Sequence, residues 1–284
     1  MDNKKSQKKI ALINDMSGYG RCSLMVQIPI ISAMGVQACP VPTGIFSNHT
    51  GYDSYVKHDL TGFLDMYVDE WIKLGLVFDG ICIGYLTSPE QVRIVERIIN
   101  ELRSKDGLVI LDPVMGDDGK LYSGFVKETA DAVSDLVKYA DIITPNMTEL
   151  CILTGSDYDR ERSLDEWKTL CGELSSRGPE KVVLTGVTMN GYIGNICLDR
   201  GENGCGGVDD ASSYLVKVPM VGHQRPGTGD VFSAVVAADT LNGVGLSASV
   251  EKASDFIRKC LIRSDEMGVP LQDGLCFEEF IKMT

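Results

Sequence analysis

Short apolar runs alternate with longer stretches of helical spacing along nearly the whole chain, and this alternation restricts the fold more than any other feature. Residues 9–14 (KIALIN), 36–41, 78–83, 108–111, 141–144 and 181–185 read as buried strands. Residues 23–34, 60–74, 125–139 and 164–176 read as helices; in 60–74, Leu60, Phe63, Leu64, Tyr67, Trp71 and Leu74 share one face. Two of these helices run into Gly35 and Gly75, the residue type that most readily takes the left-handed C′ position. Another helix opens at Ser88-Pro89-Glu90, an N-cap followed by proline where its missing N–H costs nothing. Residues 191–198 and 214–218 predict a late antiparallel hairpin across a glycine-rich loop at 201–207. Helices from about Gly229 and Ser247 follow, with a short last one near Phe277.

Parallel strands need long crossovers, and helices supply them, so the pattern predicts a three-layer α/β fold: a mainly parallel central sheet with helices on both faces. No repeat, low-complexity segment or change of composition marks a linker in the 284 residues, so one domain over 1–284 is expected, with 1–8 as a flexible tail. The net charge of −13 leaves no basic stripe, which argues against nucleic acid or an anionic membrane as partner. The only basic cluster, Lys4, Lys5, Lys8 and Lys9, lies at the extreme N-terminus. The 9 cysteines are scattered without a C-x-x-C pair, and Cys82 sits in Ile81-Cys82-Ile83 as a small core residue would. Reduced thiols, and hence a cytoplasmic location, are the expectation. No apolar run approaches the roughly 18 residues that a membrane span needs.

Ligands of such sheets bind beyond the carboxyl ends of the strands, so the turns carry the chemistry. Arg225-Pro226-Gly227-Thr228-Gly229-Asp230 runs directly into a helix. A Gly-Thr-Gly turn there exposes backbone N–H groups at the positive end of a helix dipole, an anion hole for a phosphoryl group. Asp230 beside it is placed to take a proton from an attacking hydroxyl; a plain helix cap on a tight turn is the other reading. There is no G-x-x-x-x-G-K-[ST] loop and no H-R-D loop, which excludes a P-loop enzyme and a protein kinase. Asp112 ends a strand, and Asn146 with Glu149 opens a helix after another. These oxygen ligands suit Mg²⁺, while Asn146-x-x-Glu149 also has the form of a capping box, and the two roles are compatible.

Gly227-Thr228-Gly229-Asp230 resembles the signature of the ribokinase-like superfamily. Phe46-Ser47-Asn48-His49-Thr50-Gly51-Tyr52 and Gly84-Tyr85 resemble its pyridoxal kinase branch. Asp112-Pro113-Val114-Met115-Gly116-Asp117 and Thr144-Pro145-Asn146 with Glu149 are shared with the pyrimidine kinases of vitamin B1 synthesis as well. The resemblance spans roughly residues 9–240. It implies an ATP-dependent kinase of the 5′-hydroxymethyl group of pyridoxal, pyridoxine or pyridoxamine, with Asp230 as base and Gly227, Thr228 and Gly229 as anion hole. It places Phe46, Thr50 and Tyr85 around the vitamin, with His49 on the same loop. A loop histidine with satisfied ring nitrogens is the plainer reading of His49. It assigns Asp112, Asn146, Thr185 and Thr228 to ATP, and Asp117 to a lid over residues 116–123. Asp112, Thr144 and Glu149 would serve Mg²⁺, and Thr144 and Thr185 the triphosphate or a monovalent cation such as K⁺. A homodimer is also implied.

Three residues depart from the pattern. Many pyridoxal kinases carry serine where Asp15 falls; an Asp there could pair with a protonated ring nitrogen or a hydroxyl, or merely make a turn with Ser17 and Gly18. It also resembles the first turn of hydroxymethylpyrimidine kinases, the alternative activity; a catalytically inactive vitamin-binding regulator is a third reading. Pro226 stands where some dual-function relatives carry a reactive cysteine, so hemithioacetal chemistry is not expected. Arg225 either reaches phosphate or points to solvent.

Overall fold

A computed structural model describes residues 7–159, 161–201 and 212–281. In chain order these form β1 (Lys9–Ser17), α1 (Leu24–Ala33), β2 (Gln37–Phe46), β3 (Lys57–Asp59), α2 (Thr61–Lys73), β4 (Phe78–Ile83), α3 (Pro89–Leu102), β5 (Arg103–Leu111), β6 (Gly116–Asp117), β7 (Lys120–Leu121) and α4 (Lys127–Ser134). After these come β8 (Ile142–Ile143), α5 (Met147–Thr154), α6 (Leu164–Ser175), β9 (Lys181–Met189), β10 (Tyr192–Asp199), β11 (Ser212–Pro219), α7 (Thr228–Leu241) and α8 (Leu246–Glu266). The main sheet has 9 strands in the order β11-β10-β9-β8-β5-β4-β1-β2-β3. From β9 to β2 every neighbouring pair is parallel, and β3, β10 and β11 join antiparallel to their neighbours.

Period-two alternation divides the strands between two cores. Ala11, Ile13, Ile81, Ile83, Val109 and Leu111 face the side covered by α2 to α6. Ile10, Leu12, Cys82, Ile110, Ile142 and Val183 face α1, α7 and α8. This is the expected α/β arrangement with helices on both faces. Helix α7 is buried continuously from Val231 to Asp239, which only a helix enclosed on all sides can be. Its N-terminus, the Gly-Thr-Gly turn, is therefore fixed to the middle of the core. β1 leads through α1 to β2 on one side, while β4 pairs with it on the other and leads through α3 on the opposite face. The crevice beyond the ends of β1 and β4 is the switch point at which such sheets bind ligands.

Several boundaries differ from the sequence reading. β2 runs on to Phe46 despite Pro40 and Pro42, because β3 pairs only with Gly44, Ile45 and Phe46 and leaves the outer side of the prolines without a ladder to break. β3 itself is a short exposed Lys-His-Asp edge with no apolar signal. The helix expected from residue 125 starts at Lys127 and tightens into a 3-10 turn over Asp135–Tyr139. Residues near Phe277 form only a turn, and a 3-10 turn occurs earlier at Leu271–Asp273. Lys8, placed in the tail, is tied to Asp79 at 2.9 Å. Residues 1–6 and most of the 201–207 loop lie outside the described residues. The eight cysteines among the described residues are all unpaired, and no described helix is long and apolar enough to cross a membrane.

Candidate active site

The register of β1 against β2 shifts between the pairs Asn14–Pro42 and Met16–Ile45, so β2 carries one extra residue at Thr43–Gly44, opposite Asp15. Asn14 and Asp15, at this irregularity, both border the crevice. Asn14 is 1% exposed and its amide is fully used. Its Oδ1 accepts from the backbone N–H groups of Asp15 and Tyr85, both at 2.9 Å. Its Nδ2 donates to Gln27 Oε1 at 3.2 Å and to Asp230 Oδ1 at 3.1 Å. The Asp15 carboxylate accepts from Ser23 Oγ at 2.6 Å and Ser17 Oγ at 3.0 Å. Burial raises its pKa, and the two hydroxyls offset that only in part. Phe46 meets Tyr85 edge-on at 6.3 Å, which gives this side an aromatic wall.

Across the cleft, Gly227 opens α7 with φ 82°, and a Cβ there would lie 1.9 Å from the Arg21 carbonyl. Only glycine fits. A Cβ on Gly229 would meet nothing within 4 Å, so that glycine leaves open space rather than relieving a clash. The first intrahelical bond runs from Val231 N–H to the Gly227 carbonyl at 3.0 Å, so the preceding N–H groups have no partner within the helix. The Thr228 hydroxyl donates to the Arg225 carbonyl at 3.3 Å. Asp230 sits in this first turn. Burial, then the charges of Asp112 and Asp15, push its carboxyl up to about 7, against the opposing effects of the Ser23 N–H and Asn14.

Asp112 is pushed up to about 6 by burial, with the Ser233 and Thr144 hydroxyls favouring the anion. Glu149 is raised too, by burial and then by Asp112. The capping box exists: Asn146 Oδ1 accepts from Glu149 N–H and Glu149 Oε2 accepts from Asn146 N–H, each at 2.9 Å. Glu149 Oε1 also accepts from Met115 N–H at 3.2 Å, so both of its oxygens are engaged in holding backbone. Asp112 and Glu149 are buried close together without a basic partner, and Thr144 Oγ1 beside them is a buried oxygen with no well-formed hydrogen bond. An unbalanced set of hard oxygens of this kind fits a divalent cation that brings its own phosphate and water ligands. It does not make a protein-only cage, and no cluster of three or more His, Cys, Asp or Glu suited to a metal occurs among the described residues.

The hairpin β6–β7 lies against Asn146 at the edge of the cleft. Its turn places Asp118 and Gly119 at φ 51° and 74°, the conformation of a tight two-residue hairpin. It is tied down by Asn146 Nδ2 to the Gly116 carbonyl at 2.8 Å and by Gln224 Nε2 to Asp117 Oδ2 at 3.0 Å. Arg225 neither reaches into solvent nor stands free for phosphate. It is 3% exposed, paired with Asp265 at 2.8 Å and donating to the carbonyls of Val269, Pro270 and Gly274. It fastens the loop before the anion hole to the C-terminal segment.

These walls enclose one cleft of about 600 Å³. A sequence profile of phosphomethylpyrimidine kinases matches residues 26–272. The chain belongs to the phosphomethylpyrimidine kinase family. A pyridoxine/pyridoxal/pyridoxamine kinase from Bordetella avium is 30% identical over 250 residues, which cover 86% of this chain and 81% of that one. A crystal structure from Bacteroides thetaiotaomicron, provisionally named a phosphomethylpyrimidine kinase and solved with pyridoxal, is 35% identical with a TM-score of 0.90 over 97% of this chain and 95% of its own. Pyridoxal kinase from Lactobacillus plantarum superposes with a TM-score of 0.86 at 26% identity, covering 97% and 96% of the two chains. The family fold is thus the ribokinase-like one that the turn motifs resembled.

Every residue singled out from the sequence borders this cleft, from Asp15, Phe46, Thr50 and Tyr85 to Asp112, Asp117, Thr144, Asn146, Glu149, Thr185 and the Gly227–Asp230 turn. His49 borders it with nothing left to offer. Its Nδ1 accepts from Gly51 N–H at 3.1 Å and its Nε2 contacts the Gln272 carbonyl at 2.7 Å, so it fastens its loop. Thr185 also spends its hydroxyl, on the Pro145 carbonyl at 3.3 Å. Sequence reasoning missed Asn14, Ser23 and Gln224, all of which border the cleft. A polar residue closing an apolar strand was the signal available for Asn14; the others carry none.

Proposed function

We propose that this kinase transfers the γ-phosphoryl group of ATP to the 5′-hydroxymethyl group of pyridoxal, pyridoxine or pyridoxamine. The observation that carries the reading is the meeting, in one cleft, of Asp230 beside an open anion hole with a ring-sized wall of Phe46, Tyr85 and Asp15. The substrate oxygen attacks the γ-phosphorus, the bond to the β,γ-bridging oxygen breaks, and ADP leaves. Asp230 takes the hydroxyl proton, and a carboxylate poised near neutrality is suited to that task. The N–H groups of the Gly-Thr-Gly turn stabilise charge on the moving phosphoryl group. Mg²⁺ supplied with ATP would neutralise phosphate charge near Asp112, with Thr144 beside it and Glu149 acting mainly as the brace that holds Met115 and Asn146. Asn146, Thr185 and Thr228 border the space left for the triphosphate, which a monovalent cation such as K⁺ would share. Residues 116–123 cover it with Asp117, excluding water.

The resemblance further supports a single-domain, cytoplasmic homodimer, and a solution mass equal to the 30.9 kDa chain would remove the dimer. Asp15 favours a second reading, a hydroxymethylpyrimidine kinase, because its turn resembles the first turn of those enzymes; the carboxylate itself, cradled by Ser17 and Ser23, could pair with either ring. ADP release measured in parallel on the three B6 alcohols and on hydroxymethylpyrimidine separates the readings. At least a tenfold higher kcat/KM for a B6 alcohol is expected, and the reverse ranking overturns the substrate. No turnover of any of them would leave the inactive-regulator reading.

A further inference from the structure

A buried polar chain runs behind the proposed base. Gln27 is 1% exposed on α1, among Leu24, Val26, Ile30 and Ile31, where an apolar residue would serve packing better. A buried amide in such a place must be satisfied from within. Gln27 Oε1 accepts one N–H of Asn14, and Gln27 Nε2 donates to Ser233 Oγ at 3.4 Å. Ser233 lies one turn along α7 from Asp230, and its hydroxyl reaches the Asp230 carbonyl at 3.3 Å.

Asn14 is the hub. Two backbone N–H groups, which can only donate, face its Oδ1 and so forbid its amide from turning over. Its Nδ2 must then face Asp230. The neighbouring backbone enforces the fit, since a Cβ on Gly84 would lie 2.6 Å from the Asn14 side chain. One rigid amide thus holds the base on one side and the backbone of Asp15 and Tyr85, the ring pocket, on the other.

We propose that Asn14 is a positioning residue that orients the Asp230 carboxylate toward the alcohol and couples its orientation to the ring pocket. This rests on the reading of Asp230 as the base. Asn14 touches no reacting atom and acts through Asp230, so its effect should vanish when Asp230 can no longer act.

The discriminating variant is Asn14→Asp, with the same shape. It keeps the oxygen that serves Asp15 and Tyr85 and removes the donor that serves Asp230 and Gln27. It also sets a second carboxylate beside Asp230, so kcat is read on the alkaline plateau of its pH profile, where Asp230 is ionised. Gln27 can turn its own amide to meet the new oxygen; Asp230 cannot. With a B6 alcohol and Mg²⁺–ATP, kcat should fall about 30- to 100-fold while both KM values stay within about twofold. In an Asp230→Asn background the same change should alter kcat by less than about threefold. Asn14→Ala, which also frees the two N–H groups, should additionally raise the KM of the alcohol but not that of ATP. Thermal melts of each variant identify any that fail to fold. A folded Asn14→Asp protein with kcat within threefold of the parent overturns the proposal, as does an equal loss of kcat in both backgrounds. An Asp230→Asn protein with parental kcat overturns the base itself, a separate failure.

Discussion

The phosphate wall and the alcohol wall of the cleft differ in how far along the chain their parts must travel to meet. On the phosphate wall the contacts that shape each motif are close, although Gln224 reaches Asp117 across 107 positions. Asn146 and Glu149 cap each other three residues apart, and the Gly-Thr-Gly turn closes on Val231 within one helical turn. On the alcohol wall they are distant: Asn14 meets Asp230 across 216 positions, Tyr52 meets Asp273 across 221 and His49 meets Gln272 across 223. The walls differ in charge as well. Asp112, Glu149 and Asp230 stand on the first without a basic partner, whereas on the second one carboxylate, Asp15, held by two serine hydroxyls, lies beside the aromatic face of Phe46 and Tyr85. A wall made from local motifs keeps its shape wherever its helix is placed. The other exists only once the C-terminal segment has folded back over residues 46–52.

The largest effect should come from the residue shared by both walls. Asp230→Asn is expected to lower kcat by roughly 10²–10⁴, the scale of a lost general base. Both KM values should change little, because ring and triphosphate are held by other groups. The same change should raise thermal stability. A carboxyl pushed up to about 7 from 3.8 gives the folded state an advantage that is complete below 3.8 and lost as pH rises through about 7. Asparagine has no such loss, so the melting-temperature gain should be larger at pH 8 than at pH 5. A variant that turns over normally would erase the distinction between the walls.

Gly229→Ala tests the phosphate wall alone. The added methyl meets no protein atom and should leave the melting temperature unchanged. It would intrude on the space beside the exposed N–H groups, and a loss of about 10²-fold in kcat is expected, the size of one lost anion-hole donor. Unchanged turnover would show that the phosphoryl group passes elsewhere.

The contrast in sequence distance also explains what was legible. The alternation of Ile10, Ala11, Leu12 and Ile13 shows a strand buried on both faces, and Gly227-Thr228-Gly229-Asp230 shows its helix start, because both are set by neighbours in the chain. Asn14, Gln27 and Arg225 look ordinary in sequence. Their roles depend on partners in other elements, and Arg225 could not be placed until its pairing with Asp265 and the C-terminal carbonyls was seen. The short edge β3 and the β2 extension through two prolines escaped for a related reason: edge pairing relaxes the rules that mark a strand.

A smaller effect concerns pH. A base must be ionised to accept a proton, so with Asp230 in the proposed role kcat/KM should climb with pH and level off above about 7. About tenfold of activity should be lost per unit below that, after correction for the titration of ATP and of the alcohol. Raising free Mg²⁺ should move this limb to lower pH, since a cation near Asp112 favours the Asp230 anion. A profile flat down to pH 5.5 would return Asp230 to ordinary carboxylate behaviour and remove the electrostatic contrast between the walls.

The smallest effect sharpens the alcohol wall. His49 lies in the loop that most resembles a vitamin-binding signature, yet its two ring nitrogens are turned to Gly51 and to Gln272. If the alcohol wall is held by long-range fastening, His49→Gln should act on stability and hardly on chemistry. One hydrogen bond of net worth about 1 kcal/mol is at risk, so a drop of that order in unfolding free energy is expected, with kcat and both KM values within about twofold. A direct ligand of the alcohol would behave in the opposite way, raising its KM while the melting temperature held. That result would move His49 from the frame of the pocket to its lining, and would make the alcohol wall as locally specified as the phosphate wall.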